Sequence, residues 1–289
     1  MIKPLVSIII VSYNTKELLL NCLASIKEYK DVSLEIIISD NGSTDGTLEV
    51  LRKYKDLPIT LIENQENLGF SKGNNVGRKY AKGEYVLFLN PDTLLQRHVL
   101  SETLSYMQNR PDVGALTCKV VLPDGSLDPD TRRSFPTPLV AITHFSGLDR
   151  LFPKSPIVGR YWYGYKDEDE ISEIDCLQGA YFLTRKKVLN KVSWFDEDYF
   201  LDGEDIDLCW KIREQDLKII YYPQIAITHI KKGSKKKNKS RRSVTGGVQA
   251  MEIFYRKRMW TKYPLLVNYM VIAGIKVLLL IRTAKFYLS

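Results

Sequence analysis

The sequence predicts an α/β fold: a sheet of buried strands flanked by helices, followed by a helical tail. Three observations carry that expectation. Short β-branched, apolar runs such as LVSIIIVS (residues 5–12) and YVLFL (85–89) are continuous rather than alternating, as in strands covered on both faces. Helical patterns alternate with these runs, which implies right-handed strand–helix–strand units and a mostly parallel sheet. The 289 residues, 44% apolar and 26% charged, have the composition of a soluble globular protein with ample core.

Leu5 to Ser12 reads as a central strand, and Asn14-Thr15 can cap a helix over Lys16 to Tyr29 with Leu18, Leu19, Cys22, Leu23 and Ile26 as its stripe. A second buried strand, Leu34 to Ser39, ends in Asp40-Asn41-Gly42-Ser43-Thr44-Asp45-Gly46-Thr47, turn chemistry that leads into a helix over Leu48 to Tyr54. Pro58 to Glu63 is a short third strand, and a helix around Ser71 to Ala81 precedes the strand Tyr85 to Leu89. A helix near Gln96 to Gln108, a strand over Val113 to Leu122 and a turn at Pro123 to Ser126 follow. Residues 128–170 lack periodicity and read as an irregular insertion, a lid on the acceptor side. Gln178 to Thr184 is strand-like, Glu204 to Arg213 is a helix with Ile206, Cys209 and Ile212 on one face, and Lys218–Tyr222 and Ile225–Ile230 close the domain as two strands.

The net charge of +8 is local. Residues 231–242 (KKGSKKKNKSRR) hold eight of the 42 basic residues and no acid, so the other 34 balance the 34 acids. Like charges at that density repel when packed, which predicts a mobile loop able to close over a diphosphate. No nucleic-acid motif accompanies the run, so a nucleic-acid partner is not expected. Cys22, Cys118, Cys176 and Cys209 are scattered without zinc spacing and read as reduced, buried thiols of a cytoplasmic protein. The first apolar run is too short for a secretory signal.

Function points to the strand ends. Ligands of open α/β sheets bind beyond the carboxyl ends of strands. There Pro91 stops the ladder and Asn90 and Asp92 emerge, placing a carboxylate where a divalent cation and a diphosphate could be held. Asp40 ends another strand, and Glu204-Asp205 opens a helix. Each has a plainer reading: Asp40 and Asp92 as turn residues, the acidic pair as partners of the helix dipole, His229 as a core histidine. The dinucleotide and P-loop glycine patterns are both missing.

Taken together, VSIIIVSYN (6–14), SDNGSTDGT (39–47), NLGF (67–70), NPDT (90–93), QGA (178–180) and GEDIDL (203–208) resemble the family-2 glycosyltransferases of the GT-A fold, most closely their rhamnosyltransferase-like branch. The resemblance spans roughly residues 5–232 and implies a Rossmann-like, nucleotide-binding mixed sheet. It implies that Ser12, Tyr13 and Asn14 line the nucleotide and Asp40 reads its base. It makes Asp92 the second acid of a D-x-D motif, with Asn90 in place of the first and His229 completing the Mn²⁺ or Mg²⁺ site. It gives Asp205 the role of general base, with Glu204 beside it. The implied reaction is inverting transfer of a sugar, rhamnose favoured, from a dTDP- or UDP-sugar to a glycan or polyprenyl-diphosphate-linked acceptor in surface polysaccharide synthesis. A sugar nucleotidyltransferase would need a glycine-rich basic loop where Ser12-Tyr13-Asn14-Thr15 stands, and an inactive membrane-bound scaffold would need none of these acids.

The expected organisation is a catalytic domain over 1–232, a basic flexible loop over 233–244 and a helical tail over 245–289. In the tail, Leu265 to Ile281 is apolar but interrupted by Asn268 and Lys276, and falls short of the roughly 20 residues a spanning helix needs. It therefore reads as an interfacial helix, anchored by Arg256, Lys257, Arg258, Trp260 and Tyr263 to an anionic membrane. That places the protein peripherally on the inner face of the cell membrane. Packing on the catalytic domain or on a second copy in a homodimer is the alternative.

Overall fold

The computed structural model describes residues 4–231 and 241–288. Strand β1 (Val6–Ser12) is followed by helix α1 (Lys16–Tyr29), β2 (Leu34–Asp40), α2 (Thr47–Lys53), β3 (Ile59–Glu63), α3 (Gly69–Val76) and β4 (Tyr85–Leu89). Then come β5 (Thr93–Leu94), α4 (Val99–Gln108), β6 (Val113–Val121), β7 (Arg132–Arg133), α5 (Pro138–Phe145) and α6 (Leu148–Leu151). The chain continues with β8 (Ser172–Ile174), β9 (Cys176–Leu177), β10 (Tyr181–Arg185), α7 (Lys186–Lys191), α8 (Glu204–Arg213), β11 (Lys218–His229), α9 (Arg241–Phe254) and α10 (Leu265–Leu288).

The main sheet runs β3-β2-β1-β4-β10-β6-β11-β5, with β8 alongside β11, and β7 pairs β9 separately. It is mixed rather than mostly parallel. Strand β10 returns from the insertion and wedges antiparallel between β4 and β6, while β11 runs parallel to β6 and antiparallel to β5 and β8. Both faces are covered, which is why the strand sequences are continuously apolar. Ile8, Ile10, Ile36 and Leu87 pack on one side with Leu19, Leu23 and Leu104. Ile9, Ile37, Val86 and Phe88 pack on the other with Trp194, Leu208 and Ile212. Each such buried side chain contributes about 2 kcal/mol of hydrophobic stabilisation.

Several local expectations are corrected. The first N–H of α1 is capped by Asp45 from the neighbouring loop (Lys16 N to Asp45 Oδ2, 2.9 Å), while the Thr15 hydroxyl faces Ser12 at 3.2 Å. The two closing strands are one strand, β11, whose register with β6 shifts between Tyr222 and Ala226, across Pro223. The stretch 128–170 is not irregular throughout. Thr137 caps α5 through Val140 N–H with Pro138 in its first turn, a start signal in plain sight. Helix α8 buries more than one face, because α9 covers the side opposite the sheet.

Most of the basic loop expected over 233–244 lies outside the described residues, and its last four residues already belong to α9. Helix α10 reaches 24 residues, longer than expected, and Leu265–Tyr287 is long and apolar enough to cross a membrane. Both interruptions are bonded to the protein, Asn268 buried and Lys276 at the surface. Asn268 accepts from Tyr255 Oη at 2.7 Å and donates to the Trp260 carbonyl at 2.8 Å, and Lys276 pairs with Glu252 at 2.6 Å. The opposite face, including Leu266, Met270, Val277 and Leu280, is exposed. The expected basic anchors form ion pairs with the protein: Arg256 with Glu252 and Lys257 with Asp196 and Asp198 at the surface, and Arg258, the most enclosed of the three, with the buried Asp207.

Candidate active site

The carboxyl ends of β1 and β2 form one tightly bonded corner. Asp40 is fully buried, and its two oxygens accept from Ser43 N–H (2.8 Å) and Ser43 Oγ (2.7 Å), so it shapes its own turn as well as facing that corner. Asn14, at φ 53°, donates its N–H to Ser43 Oγ and accepts from Thr44 N–H at 2.8 Å, joining the two loops. Ser12 is buried and Tyr13 stands exposed at the rim. Asn41 extends the network to Asn64, Asn67 and the Gly69 carbonyl. Gly69 has φ +77°, and a Cβ there would collide with the Phe200 carbonyl, to which Phe70 N–H bonds at 2.7 Å.

Asp92 and His229 meet because β5 pairs antiparallel with the end of β11, setting His229 opposite Thr93. Asp92 Oδ1 lies 3.2 Å from His229 Nε2, and Ile230 N–H donates to the Asp92 carbonyl at 2.8 Å. Behind the ring, His229 Nδ1 bonds the fully buried Asp128 at 2.9 Å, and Lys231 bridges Asp128 and Asp130. Burial works against charge on His229, but hydrogen bonds to Asp128 and then Asp92 outweigh it and raise its pKa to about 9. Burial raises the Asp128 pKa, but His229 and Lys231 hold it well below the usual carboxylate range. Asn90 sits partly buried at the end of β4, its carbonyl accepting from Thr93.

Among the described residues no three His, Cys, Asp or Glu side chains converge into a complete metal cage. Asp92 and His229 do fit a cation that takes its other ligands from a diphosphate and water. Their ligating atoms converge, and a carboxylate orients the ring from behind, as is usual for a metal-bound histidine.

The acidic pair of α8 lies beyond Gly203, at φ +84°, where a Cβ would come within 2.9 Å of Ala250 on α9. Asp205 is nearly buried, with Oδ1 accepting from Ile206 N–H (2.7 Å) and Oδ2 paired with Arg133 at 2.6 Å. Glu204 is also buried, and its Oε2 has no hydrogen-bond partner. Burial first, then the nearby Asp205 and Asp202, push its pKa well above the usual carboxylate range. The pair is therefore divided: burial disfavours charge on Glu204, whereas Asp205 faces a fixed guanidinium.

Asp128 and Arg133, which no sequence motif singled out, lie on one short stretch that touches both acidic sites. Their signal was Asp128-Pro129-Asp130, an Asp cap before a proline, followed by Arg132-Arg133, which pair with Cys176 and Leu177 next to Gln178. Gln178 in turn donates to Thr131 at 3.2 Å.

The doubly covered mixed sheet, with acids at its carboxyl edge and a second acid pair on a following helix, has the GT-A architecture that the motifs implied. A family model described as glycosyl transferase family 2 matches residues 7–193. The chain belongs to that family. It is 26% identical over 238 residues to the N-acetylglucosaminyl-diphospho-decaprenol L-rhamnosyltransferase of Mycobacterium tuberculosis, covering 78% of this chain and 75% of that protein. It is 28% identical over 238 residues to the rhamnosyltransferase WbbL of Escherichia coli, covering 78% and 83%. Among solved structures, the mannosyltransferase PcManGT from Pyrobaculum calidifontis, in complex with GDP-Man and Mn²⁺, superposes with TM-score 0.60 at 20% identity, covering 96% of this chain and 70% of that one. That last likeness bears on the fold alone.

Proposed function

We propose that this glycosyltransferase moves rhamnose, with inversion, from a dTDP- or UDP-sugar to a polyprenyl-diphosphate-linked acceptor in surface polysaccharide synthesis. The observation that carries the reading is the meeting of Asp92 and His229 at the strand ends, with Asp128 behind the ring and Asp205 on a separate arm behind Arg133. The names of the two relatives support the sugar, and that of the mycobacterial protein supports the acceptor class.

On this reading Asp40 and the Ser12–Asn14 turn bind the nucleotide, with Asp40 keeping a lone pair on each oxygen for the base. Asp92 and His229 hold Mn²⁺ or Mg²⁺ beside the diphosphate, and the bound ion supplies Lewis-acid stabilisation of the leaving group. Asp205 accepts the acceptor hydroxyl proton as that oxygen attacks the anomeric carbon and the nucleoside diphosphate departs from the opposite face. Arg133 fixes the direction of the Asp205 carboxylate. Glu204 lies buried beside it, where charge is disfavoured. The exposed apolar face of α10 rests on the cytoplasmic leaflet and brings the site to its lipid-borne acceptor.

The test offers purified enzyme dTDP-, UDP- and GDP-sugars with a polyprenyl-diphosphate-linked N-acetylglucosamine, with and without excess chelator. Transfer from dTDP-rhamnose that stops on chelation is expected. Undiminished transfer in chelator overturns the metal assignment, and transfer only from another donor overturns the sugar.

A further inference from the structure

A cavity of about 310 Å³ lies between the insertion and the C-terminal helices, next to the N-terminus of α8. Arg133, His144, Tyr161 and Arg282 line it together with Phe145 and Gly203. Arg133 is nine-tenths buried and spends Nη2 on Asp205 and on the Leu177 carbonyl at 3.2 Å, yet its Nε has no partner. A buried guanidinium with an unmatched N–H beside a cavity is a donor without its acceptor. His144 is fixed by a 2.6 Å contact from Nδ1 to the buried Asp149 and by a tilted ring contact with Tyr161, which leaves Nε2 as its second hydrogen-bonding atom. Arg282 comes from α10, on the far wall. Two acids also line the cavity: Asp130, already paired with Lys231, and Asp202, which is engaged as well. Around it the surface turns apolar, with Ile142, Leu151 and Phe152 exposed on the insertion and Leu280 and Ile281 on α10.

We infer that this cavity seats the phosphate head of the lipid-linked acceptor, held by Arg133, His144 and Arg282, while its chain leaves over the apolar rim into the bilayer. Cationic donors inside an apolar rim select an amphiphile with an anionic head, and Arg matches phosphate geometry better than a point charge does. Because Arg133 also holds Asp205, a head bound there lies one side chain away from that carboxylate. The inference rests on the acceptor class proposed above, and it assigns the insertion a role in acceptor recognition.

The experiment uses full-length protein and phosphatidylcholine vesicles with or without polyprenyl phosphate, with inorganic pyrophosphate as competitor. Wild type should prefer the vesicles that carry polyprenyl phosphate. His144→Gln with Arg282→Gln should lower that preference and raise the KM for a polyprenyl-diphosphate-linked acceptor by about tenfold or more, as expected for lost charge-assisted contacts. The donor KM and slow donor hydrolysis should stay unchanged. Arg282→Gln alone, on an exposed side chain, should show a smaller change in the same direction. An unchanged preference and acceptor KM in both variants overturns the subsite. Pyrophosphate competing as well as the lipid overturns the amphiphile in favour of a free-phosphate site. If vesicle preference depends on these residues but no lipid-linked acceptor is ever glycosylated, the subsite stands and the catalytic reading falls. Transfer to a lipid-linked acceptor with unaltered acceptor KM in the variants overturns the subsite and leaves the catalytic reading standing.

Discussion

The half proposed to bind the donor, residues 5–94, and the side proposed to receive the acceptor, residues 128–178 with the C-terminal helices, are built in different ways. In the donor half a site residue is positioned by its own strand end: Asp40 is held by Ser43, three residues away, and Asp92 follows directly on β4. On the acceptor side each decisive contact spans the chain. Arg133 and Asp205 are 72 residues apart and Arg258 and Asp207 are 51, and on the donor side His229 is held in the same way, by Asp128, 101 residues away. The first kind of site is written in local turn chemistry, whereas the second exists only after the sheet has closed. The comparison also explains the placing of α8. Asp205 on one side meets the insertion, and Asp207 on the other holds the tail, so one short helix ties both long-range elements to the sheet.

If the two halves divide the labour in this way, Asp205→Asn should lower transfer on the order of a thousandfold while leaving donor affinity nearly unchanged, since a base acts only on the attacking hydroxyl. Near-normal transfer, measured with a radiolabelled donor, would break the division. Arg258→Ala leaves the fully buried Asp207 without its bidentate partner, and should destabilise the protein by about 3 kcal/mol in urea unfolding. An unchanged midpoint would mean that the tail does not depend on this clamp.

Asp128→Asn sharpens the comparison from the other side. It removes the carboxylate behind His229, so Mn²⁺ affinity followed by calorimetry with the donor nucleotide should fall about tenfold or more, with the fold retained. Equal affinity would return His229 to the role of a core histidine. The smallest effect concerns pH. The folded-state pKa of His229 lies above its ordinary value, so the stability conferred by its charge is fully present below about 6.5 and lost as pH rises through about 9. Without added divalent cation, the Tm gap between wild type and His229→Gln should narrow over that window, by no more than about 3 kcal/mol in equivalent stability. A gap that stays constant would show that the ring is not held charged.

By itself the sequence determined the α/β class, the strands of the donor half, the strand-end acids and the helix that opens with Glu204-Asp205. These follow from continuous apolar runs, turn residues and helical periodicity, all of which act over a few neighbours. The tertiary structure alone decided that β10 enters antiparallel and that α6 stands in the stretch read as irregular, where α5 had its own start signal in Thr137-Pro138. It also enclosed Asn268 and tied Lys276 and the Arg256–Arg258 cluster into ion pairs with Glu252, Asp196, Asp198 and Asp207. Above all it decided the surroundings of the two neighbouring acids. Asp205 was given a guanidinium from residue 133, whereas Glu204 was buried with an oxygen left unpaired. The physical reason is that burial and ion pairing are properties of what surrounds a side chain in space. Those surroundings come from segments that no local pattern connects.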